Sequence, residues 1–579
     1  MMLDRRTAIA SFAALPLAAA PLGSRAFAAQ TPVTVFEARR IVTMEPALPT
    51  ARFVAVADGI VLGLGQTLDE LAPWTTGRPT RIDRSLSGQV LFPGLIDPHV
   101  HPMLAAVMLN LPFIAPDDWD LPKGRYPGAR TPREWWDRLR AALSASSTDP
   151  FICWGYHELF HGPLDRAALD ALAPDRAVVI WQRSFHDVIV NSAALKAWGL
   201  GTAEAFAAAM AKAGADPKDS SFERGLFSET GLPVALGKMQ PTLLGGGKVR
   251  AGMADLQRLM LTRGVTTVSD MGTGIFADFA TEAGLIRTAF ERADNPSRIM
   301  LMPLAHQIAA SRDLDQMLRE TEAAFAGPHV RVDRRVKLLA DGAFFALNMR
   351  MNPPGYTDGH QGKWITPPTA LAEMASRFWQ AGYSLHIHVN GDEGLDAVLA
   401  AVERLPERRA QTVTLEHLGY STEAQNRRIA RLGLMVSAQP NYIRVLGDAY
   451  GRTGLGHDRA GAINRLGSLE RKGVPLGLHS DFNMAPIDPF YLAGIAANRI
   501  TIEGNRKVPS EALTLDKALR AITSEAAQVI GMDSLVGSIA PGKKADFAVL
   551  DRDPYAAGVA GLNRIGIAGV VFEGRFFPA

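Results

Sequence analysis

The central part of the chain alternates short apolar runs with longer stretches in which apolar residues recur at helical spacing. This alternation is typical of parallel units of β-strand and α-helix. The strand-like runs are Gln89–Leu95, Val265–Asp270, Arg298–Pro303, Val336–Leu339, Ser384–His388, Val413–His417, Gly433–Ser437 and Pro475–Asp481. Because eight parallel strands can close on themselves, the pattern predicts an α/β fold with a (β/α)8 TIM-type barrel rather than an open sheet.

Both ends of the chain read as short strands and turns, over residues 33–90 and again over 537–574. Small strand sets are marginal alone, so we expect the two ends to form one small β-sandwich domain from residues 30–90 and 535–579. The barrel then spans residues 91–534. Its first two strands are about 150 residues apart, too far for a simple connection. We expect this large insert after barrel strand 1, residues 110–262, to cap the barrel mouth and select the substrate.

The first 28 residues have the composition of an export signal. Arg5 and Arg6 precede an Ala/Leu-rich stretch, and Ala26-Phe27-Ala28 resembles a small-residue cleavage site. The stretch is too short and too rich in Ala and Pro to predict a membrane span, and an uncleaved anchor is the alternative. The arginine pair predicts export by the twin-arginine machinery, and therefore a periplasmic or secreted protein without stable membrane insertion.

Composition narrows the classes of function. The 579 residues are 47% hydrophobic and 21% charged, which is typical of a globular protein. The formal charge of +2 comes from the export signal, and no basic stripe with interleaved aromatic residues remains, so nucleic acid is not an expected partner. Cys153 is the only cysteine of the sequence, which excludes intramolecular disulfides and cysteine-based zinc sites. Histidine, carboxylate or a modified lysine must hold any metal ion.

The clearest candidate chemistry follows the first predicted strand, where His99 and His101 lie two positions apart. Side chains at this spacing on a strand point to the same face, so both imidazoles can bind one metal ion. Taken alone, such a pair is weak evidence, because two core histidines satisfied by the backbone are the more frequent explanation. Further polar residues end the later predicted strands, namely Lys337, His386, His388, His417 and Asp481. Packing does not explain so many buried polar groups, whereas a shared metal site at the barrel mouth does.

Several motifs in this order resemble the amidohydrolase superfamily. Its first-strand motif is similar to Phe92–His101, later motifs to His388–Asp392, Leu415–His417 and Ser480–Asp481, and its C-terminal sheet segment to Ser538–Leu550. The insert, Gly264–Gly272 and Val336–Gly342 resemble the branch called amidohydrolase family 3, which includes N-substituted formamide deformylases.

This resemblance implies metal ligands at His99, His101, His388, His417 and Asp481. It also implies that Asp481 is the catalytic acid or base that handles the proton of the attacking water. Lys337 matches a lysine that, in part of the superfamily, is carboxylated and bridges two metal ions, and an ion-paired lysine is the alternative. The expected cofactor is therefore one or two divalent metal ions, with zinc first and iron, nickel or manganese as alternatives.

Other histidines are candidate substrate-binding residues. His386 and His479 depart from the family pattern, because an apolar residue and a glycine are more usual at their positions. His157, His161 and His186 are candidates from the insert, although each also fits a structural loop histidine. Glu229 is a further candidate, although the sequence does not indicate whether it faces the site.

Together these features predict a metal-dependent hydrolase that uses metal-activated water to cleave a non-peptide C–N bond of a small molecule. An N-acyl, N-formyl or cyclic amide fits this description. Hydrolysis of a lactone, ester or phosphotriester, or deamination, is the alternative reaction on the same scaffold. A periplasmic ligand-binding protein is the alternative outside enzymes, and Asp481 argues against it because binding alone needs no proton-handling carboxylate. The exact substrate and the oligomeric state stay open.

Overall fold

The computed structural model describes residues 31–309, 311, 313–407 and 410–579. The predicted export signal at residues 1–28 lies outside these ranges and stays a prediction. Within the described ranges, no helix combines the length and the apolar character needed to cross a membrane.

The strands in chain order are β1 (Val33–Val42), β2 (Thr50–Ala57), β3 (Ile60–Gly65), β4 (Thr80–Asp83), β5 (Val90–Pro93), β6 (Leu95–Val100), β7 (Trp119–Leu121), β8 (Gly124–Tyr126), β9 (Phe151–Tyr156), β10 (Val178–Gln182), β11 (Asp187–Val190), β12 (Ser220–Ser221), β13 (Leu226–Ser228), β14 (Val265–Thr273), β15 (Arg298–Pro303), β16 (Val330–Val332), β17 (Arg335–Leu339), β18 (Ser384–Val389), β19 (Val413–His417), β20 (Met435–Ala438), β21 (Leu476–Leu478), β22 (Phe547–Leu550), β23 (Ile567–Phe572) and β24 (Arg575–Pro578).

The helices in chain order are α1 (Ala72–Thr75), α2 (Pro102–Met108), α3 (Pro132–Ala145), α4 (Glu158–His161), α5 (Arg166–Leu172), α6 (Ser192–Ala197), α7 (Ala203–Lys212), α8 (Leu232–Leu244), α9 (Lys248–Thr262), α10 (Phe279–Phe290), α11 (Ala305–Ile308), α12 (Leu314–Phe325), α13 (Pro368–Gln380), α14 (Asp392–Glu403), α15 (Glu423–Arg431), α16 (Asn441–Leu446), α17 (Ala449–Arg452), α18 (His457–Gly461), α19 (Leu466–Arg471), α20 (Pro489–Asn498), α21 (Leu515–Arg520), α22 (Ser524–Val529) and α23 (Pro554–Ala557).

Eight parallel strands close into a barrel, as the pattern of apolar runs predicts. Strands β6, β14 and β15 pair in parallel, and so do β17, β18, β19, β20 and β21. Parallel bridges from Leu304 to Lys337 and from Val100 to Phe482 join these two groups into a ring. Every residue of β6, β14 and β15 is buried, because helices cover the outside of a parallel barrel.

The position of the first barrel strand corrects the prediction of Gln89–Leu95. That apolar run divides at Pro93 and Gly94: β5 belongs to a different sheet, and the barrel strand β6 begins at Leu95. At the crossing point, Gly94 donates its amide to the carbonyl of Asp546, and a Cβ on Gly94 would collide with the side chain of Thr266. The chain can therefore pass from sheet to barrel here because this residue has no side chain.

The two ends of the described chain meet in one sheet with the strand order β24-β23-β22-β5-β1-β2-β3, and β4 pairs with β1. Strand β5 lies between β1 and β22, so an N-terminal segment is hydrogen-bonded on both sides to segments from opposite ends of the sequence. Phe36, Val54, Leu91, Phe547 and Val571 form a buried core on this sheet.

The insert between β6 and β14 has secondary structure of its own. Strands β9, β10, β11, β13 and β12 form a five-stranded sheet, and β7 pairs with β8 as a hairpin. Helix α9 then returns to the barrel and packs on α2, where Gly252 lies against the carbonyl of Ala106. The insert also carries residues that reach the barrel mouth, as described below.

Candidate metal centre

All six predicted metal-binding side chains line one cavity of about 220 Å³ at the carboxyl ends of the barrel strands. They come from five strands or the turns that follow them, and they are His99, His101, Lys337, His388, His417 and Asp481. The carboxyl ends of parallel barrel strands meet at one face, which explains how residues separated by nearly 400 positions converge.

Asp481 lies at the middle of this group. Its Oδ1 atom is 3.2 Å from Nε2 of His101 and 3.6 Å from Nε2 of His99. Its Oδ2 atom is 3.7 Å from Nδ1 of His417. The rings of His388 and His417 are 4.7 Å apart.

An irregular backbone turns two of these residues toward the cavity. His417, the last residue of β19, has φ of 70°, the following Leu418 has 45°, and Asp481 has 51°. Positive φ is uncommon for residues other than glycine and persists where the surrounding structure imposes it, often at functional sites. Here it lets His417 reach the cavity although Glu416, the adjacent residue, also points into the barrel.

The electrostatics favour uncharged imidazoles, which are the form that binds metal ions. Burial, together with the positive charge of Lys337, lowers the pKa of His99 and brings the pKa of His388 to about 3. Burial likewise holds the pKa of His417 well below its ordinary value. Asp481 behaves in the opposite way: burial opposes its ionisation, but the hydrogen bond and charge of His101 lower its pKa. Uncharged His99, His388 and His417 therefore lie around one ionised carboxylate.

Lys337 is the unusual cation of the group. Its side chain is 2% exposed, and Nζ has no hydrogen-bond partner among the described residues. Burial lowers the pKa of this amine to about 8, although the negative charges of Glu416 and Asp481 raise it. A buried ammonium without a hydrogen-bond partner is unfavourable, so this position suits a lysine that is neutral or chemically modified.

Glu416 is a functional residue that the sequence motifs contained but did not single out. Fully buried below the cavity, it accepts a hydrogen bond at 2.7 Å from Nδ1 of His99 and another at 2.7 Å from Nδ1 of His386. An ionised carboxylate only accepts, so both Nδ1 atoms carry the proton and Nε2 of His99 keeps its lone pair for a metal ion. Burial opposes the ionisation of Glu416, but its hydrogen bond to His386 lowers its pKa.

The structure places His386, a predicted substrate contact, outside the residues that line the cavity. His386 is fully buried and pairs in register with Lys337, one layer below His388. Its Nδ1 atom donates to Glu416, and its Nε2 atom lies 3.3 Å from the guanidinium of Arg335. Both ring nitrogens are thus engaged below the cavity, where His386 orients Glu416.

His479 is also placed differently from its prediction as a substrate contact. It is fully buried, with Nδ1 at 2.7 Å from the hydroxyl of Ser437 and Nε2 at 3.1 Å from Nδ1 of His417. Ligand atoms of His99, His417 and His479 lie close enough together to hold one ion, as do those of His99, His101 and Asp481. His479 therefore adjoins the predicted metal ligands and does not belong to the described residues that line the cavity.

The histidines of the insert separate into two kinds. His157 and His161 bond to each other and to the backbone, and the ring of His157 packs against Phe345 behind the cavity wall. Neither residue belongs to the described residues that line the cavity. The structure therefore places His157, a predicted substrate contact, outside the cavity lining. His186 does line the cavity, and its Nδ1 atom is 2.8 Å from a carboxylate oxygen of Glu229.

The remaining cavity wall is mainly apolar. It combines barrel residues with residues of the insert, and its apolar members include Leu104, Phe185, Ile275, Leu304, Phe344, Phe345, Tyr442 and Met484. Such a wall suits a small molecule with an apolar body, whose polar part is directed toward the histidines.

The donor set fits a divalent metal ion. Several imidazoles with lowered pKa, one ionised carboxylate and a buried amine without a described partner converge in one place. Nδ1 of His101 also lacks a hydrogen-bond partner among the described residues, and Asp270 faces it at 3.8 Å. Such unpaired buried polar atoms are unfavourable without a ligand, so the arrangement suits an ion of the zinc, iron, nickel or manganese type.

The sequence profile of the amidohydrolase family matches residues 84–577, which is most of the chain. The chain belongs to the amidohydrolase family. This confirms the resemblance inferred from the motifs, and it agrees with a match to YtcJ of Bacillus subtilis (strain 168), which is 26% identical over 539 residues and covers 90% of this chain and 95% of YtcJ.

Two further similarities are informative. The N-substituted formamide deformylase of Arthrobacter pascens is 30% identical over 217 residues, covering 37% of this chain and 40% of that enzyme. Among solved structures, a metal-dependent hydrolase from Pyrococcus horikoshii OT3 superposes with a TM-score of 0.67 at 20% identity, covering 91% of this chain and 99% of the other. At that identity the superposition shows a shared fold.

Proposed function

We propose that this amidohydrolase-family chain is a metal-dependent hydrolase that cleaves a non-peptide C–N bond of a small, mainly apolar molecule. The observation that carries the proposal is the position of Asp481, whose carboxylate is 3.2 Å from His101 and 3.6 Å from His99 in a cavity with apolar walls. A binding site alone would not need an ionised carboxylate among neutral histidines. The relation to a formamide deformylase supports an N-acyl or N-formyl substrate.

His99, His101, His388, His417 and Asp481 would hold the ion or ions. A divalent ion bound there lowers the pKa of water and polarises a carbonyl group. Asp481 then accepts a proton from water and returns it to the nitrogen of the leaving group, because its lowered pKa keeps it ionised beforehand. Zinc is the proposed ion, with iron, nickel and manganese as alternatives.

Lys337 is proposed to be carboxylated and to take part in a centre with two ions. Its buried amine with a pKa of about 8 is partly neutral near pH 7.5, and a neutral amine combines with carbon dioxide to give a carbamate and a proton. The carbamate would replace an unpaired buried cation by an anion with two acceptor oxygens. Without this modification, the remaining residues suit a single ion.

The insert is proposed to cap the barrel mouth and select the substrate, because Phe185 and His186 reach the cavity from it. The twin-arginine segment is proposed to export the folded protein to the periplasm. Replacing Arg5 and Arg6 with lysine tests this, since continued export of active protein would contradict it.

The hydrolase proposal is tested with protein freed of metal by a chelator and reloaded separately with Zn²⁺, Fe²⁺, Ni²⁺ or Mn²⁺. We expect turnover of members of a panel of N-formyl, N-acyl and cyclic amides only after reloading. Lactones, esters, phosphotriesters and aminopurines form the comparison panel. Turnover confined to that second panel would refute the bond class, and a metal-loaded protein that hydrolyses no compound of either panel would favour a binding protein.

A further inference from the structure

His186 is a polar side chain that the insert places on the otherwise apolar wall of the cavity. It immediately precedes β11, its side chain is 23% exposed, and it lines the cavity together with the metal-binding histidines. Its neighbours on the same wall include Phe185, Ile275 and Phe345. A histidine in such a position needs a reason, because burying a polar group beside apolar side chains is unfavourable without a partner.

The partner is Glu229, which belongs to a separate segment of the insert. Nδ1 of His186 donates to Oε2 of Glu229 at 2.8 Å, and the side-chain amide of Asn348 donates to Oε1 of Glu229 at 2.7 Å. Asn348 comes from the barrel loop after β17, so the barrel holds the carboxylate that orients the histidine. Because Glu229 and Asn348 stand behind His186, its Nε2 atom is the part left to face the cavity.

The backbone adopts an unfavourable conformation at or next to each of these three residues. Phe185, which precedes His186, has φ of 73°, Glu229 has 43°, and Leu347, which precedes Asn348, has 52°. Phenylalanine, glutamate and leucine rarely adopt positive φ, and such strain is retained where the surrounding structure enforces a functional geometry. Three segments are therefore held in strained conformations at or beside the three residues of this group.

The charges around His186 decide what its Nε2 atom presents. Burial opposes protonation, but the charge and hydrogen bond of Glu229 raise the pKa of His186, helped by Asp187 on β11 and Asp481 on the barrel. His388 faces it from β18, and Lys363 lies near Glu229 while paired with Asp219. A protonated His186 with ionised Glu229 forms a neutral pair that offers one N–H group to the cavity.

We propose that His186, held by Glu229 and Asn348, donates a hydrogen bond from Nε2 to an oxygen of an uncharged substrate whose apolar body contacts Phe185 and Phe345. The pair of His186 and Glu229 carries no net charge, so it supplies no counterion to a charged substrate. This inference rests on the proposed hydrolase function and adds the substrate class: neutral amides with an aromatic or aliphatic substituent.

Binding to the full-length chain freed of metal tests this inference separately from hydrolysis. The probes are N-(2-phenylethyl)formamide and, as its charged counterpart, 3-phenylpropanoate, measured by calorimetry at pH 6. We expect His186→Leu to weaken formamide binding about tenfold, as for loss of a hydrogen bond from a charged donor. His329→Leu is the matched control, because His329 also lies beside carboxylates, those of Glu291 and Glu573 at 3.8 Å each, but does not line the cavity.

Glu229→Gln supplies a variant that keeps the shape of the group. Removing this charge lowers the pKa of His186. As the pH rises, the Glu229→Gln variant should therefore lose formamide binding at a lower pH than the wild type does. His186→Leu should abolish that pH dependence. In the metal-loaded enzyme, His186→Leu should raise KM about tenfold and leave kcat within threefold.

Several outcomes would overturn the inference. They are wild-type affinity in His186→Leu, tighter binding of 3-phenylpropanoate than of the formamide, no binding of either probe by the wild type, or a fall in kcat at unchanged KM. Because the calorimetry uses protein without metal, a failed hydrolysis panel with intact probe binding would refute the proposed function and leave this binding site standing.

Discussion

Replacing Glu416 with glutamine tests how the lower layer of the barrel prepares the metal centre. The carboxylate accepts two hydrogen bonds of 2.7 Å, one from His99 and one from His386. Glutamine has one acceptor oxygen and one donor amide, so it can keep only one of these bonds. Its amide then faces the other Nδ1–H group, and that ring must move or shift its proton to Nε2.

The expected magnitude follows from this geometry. A hydrogen bond to a charged group contributes about 1.5–3 kcal/mol when both partners are buried. If His99 moves its proton to Nε2, the lone pair that faces Asp481 is lost as a metal ligand. Residues that orient metal-binding histidines typically change metal affinity by about 10–100-fold. We therefore expect Glu416→Gln to weaken zinc binding by about that factor.

The assay is competition for Zn²⁺ with a chromophoric chelator, followed by denaturant unfolding of the metal-free protein. Glu511→Gln is the matched control, since Glu511 is also buried and accepts from the amide of Ser468 at 2.7 Å and from Arg465 at 3.2 Å. Both variants should lose stability, but only Glu416→Gln should lose zinc affinity. Equal zinc affinity in Glu416→Gln and wild type would refute the reasoning and leave Glu416 with a purely structural role.

Three other outcomes follow from the same site and its barrel. Asp481→Asn saturated with metal should lose about 10²–10⁴-fold in kcat, and turnover near the wild-type rate would exclude it as the proton carrier. Lys337→Met should reduce the metal content from two ions to one by elemental analysis, and two tightly bound ions would contradict the bridging role. Leu385→Ala, at a fully buried position of β18, should lower the free energy of unfolding by about 2–5 kcal/mol, and a loss below 1 kcal/mol in urea would show that the barrel relaxes around the space.

The barrel could be predicted from the sequence because its strands are continuous apolar runs separated by helical stretches. The division at Pro93 and Gly94 is harder to predict, because apolar residues that favour a strand lie on both sides of this pair. Residue types alone do not say that one run serves two sheets. The decisive factor is a close approach between Gly94 and Thr266, which are distant in sequence.

The same limit explains His386. Alternation along a strand correctly places His386 and His388 on the same face of β18, but it says nothing of depth. Two residues along a strand span about 6.6 Å, so His386 lies a full layer below the cavity floor. Its partner Glu416 lies on the neighbouring strand, in register with His388, and reaches His386 through its side chain. A ligand and its supporting residue therefore look equivalent in the sequence and differ in position by one layer.

The positions of the residues at the top of the barrel depend on irregular backbone conformations, which cannot be predicted from the residue types. Glu416 and His417 are adjacent, so a regular strand would send them to opposite faces, yet one supports the centre from below and the other lines the cavity. Positive φ at His417 reconciles the two. Phe185 and Leu347 share this conformation without any preference for it. Regular strands thus position the supporting layer, and strained turns, imposed by the fold, position the residues that face the substrate.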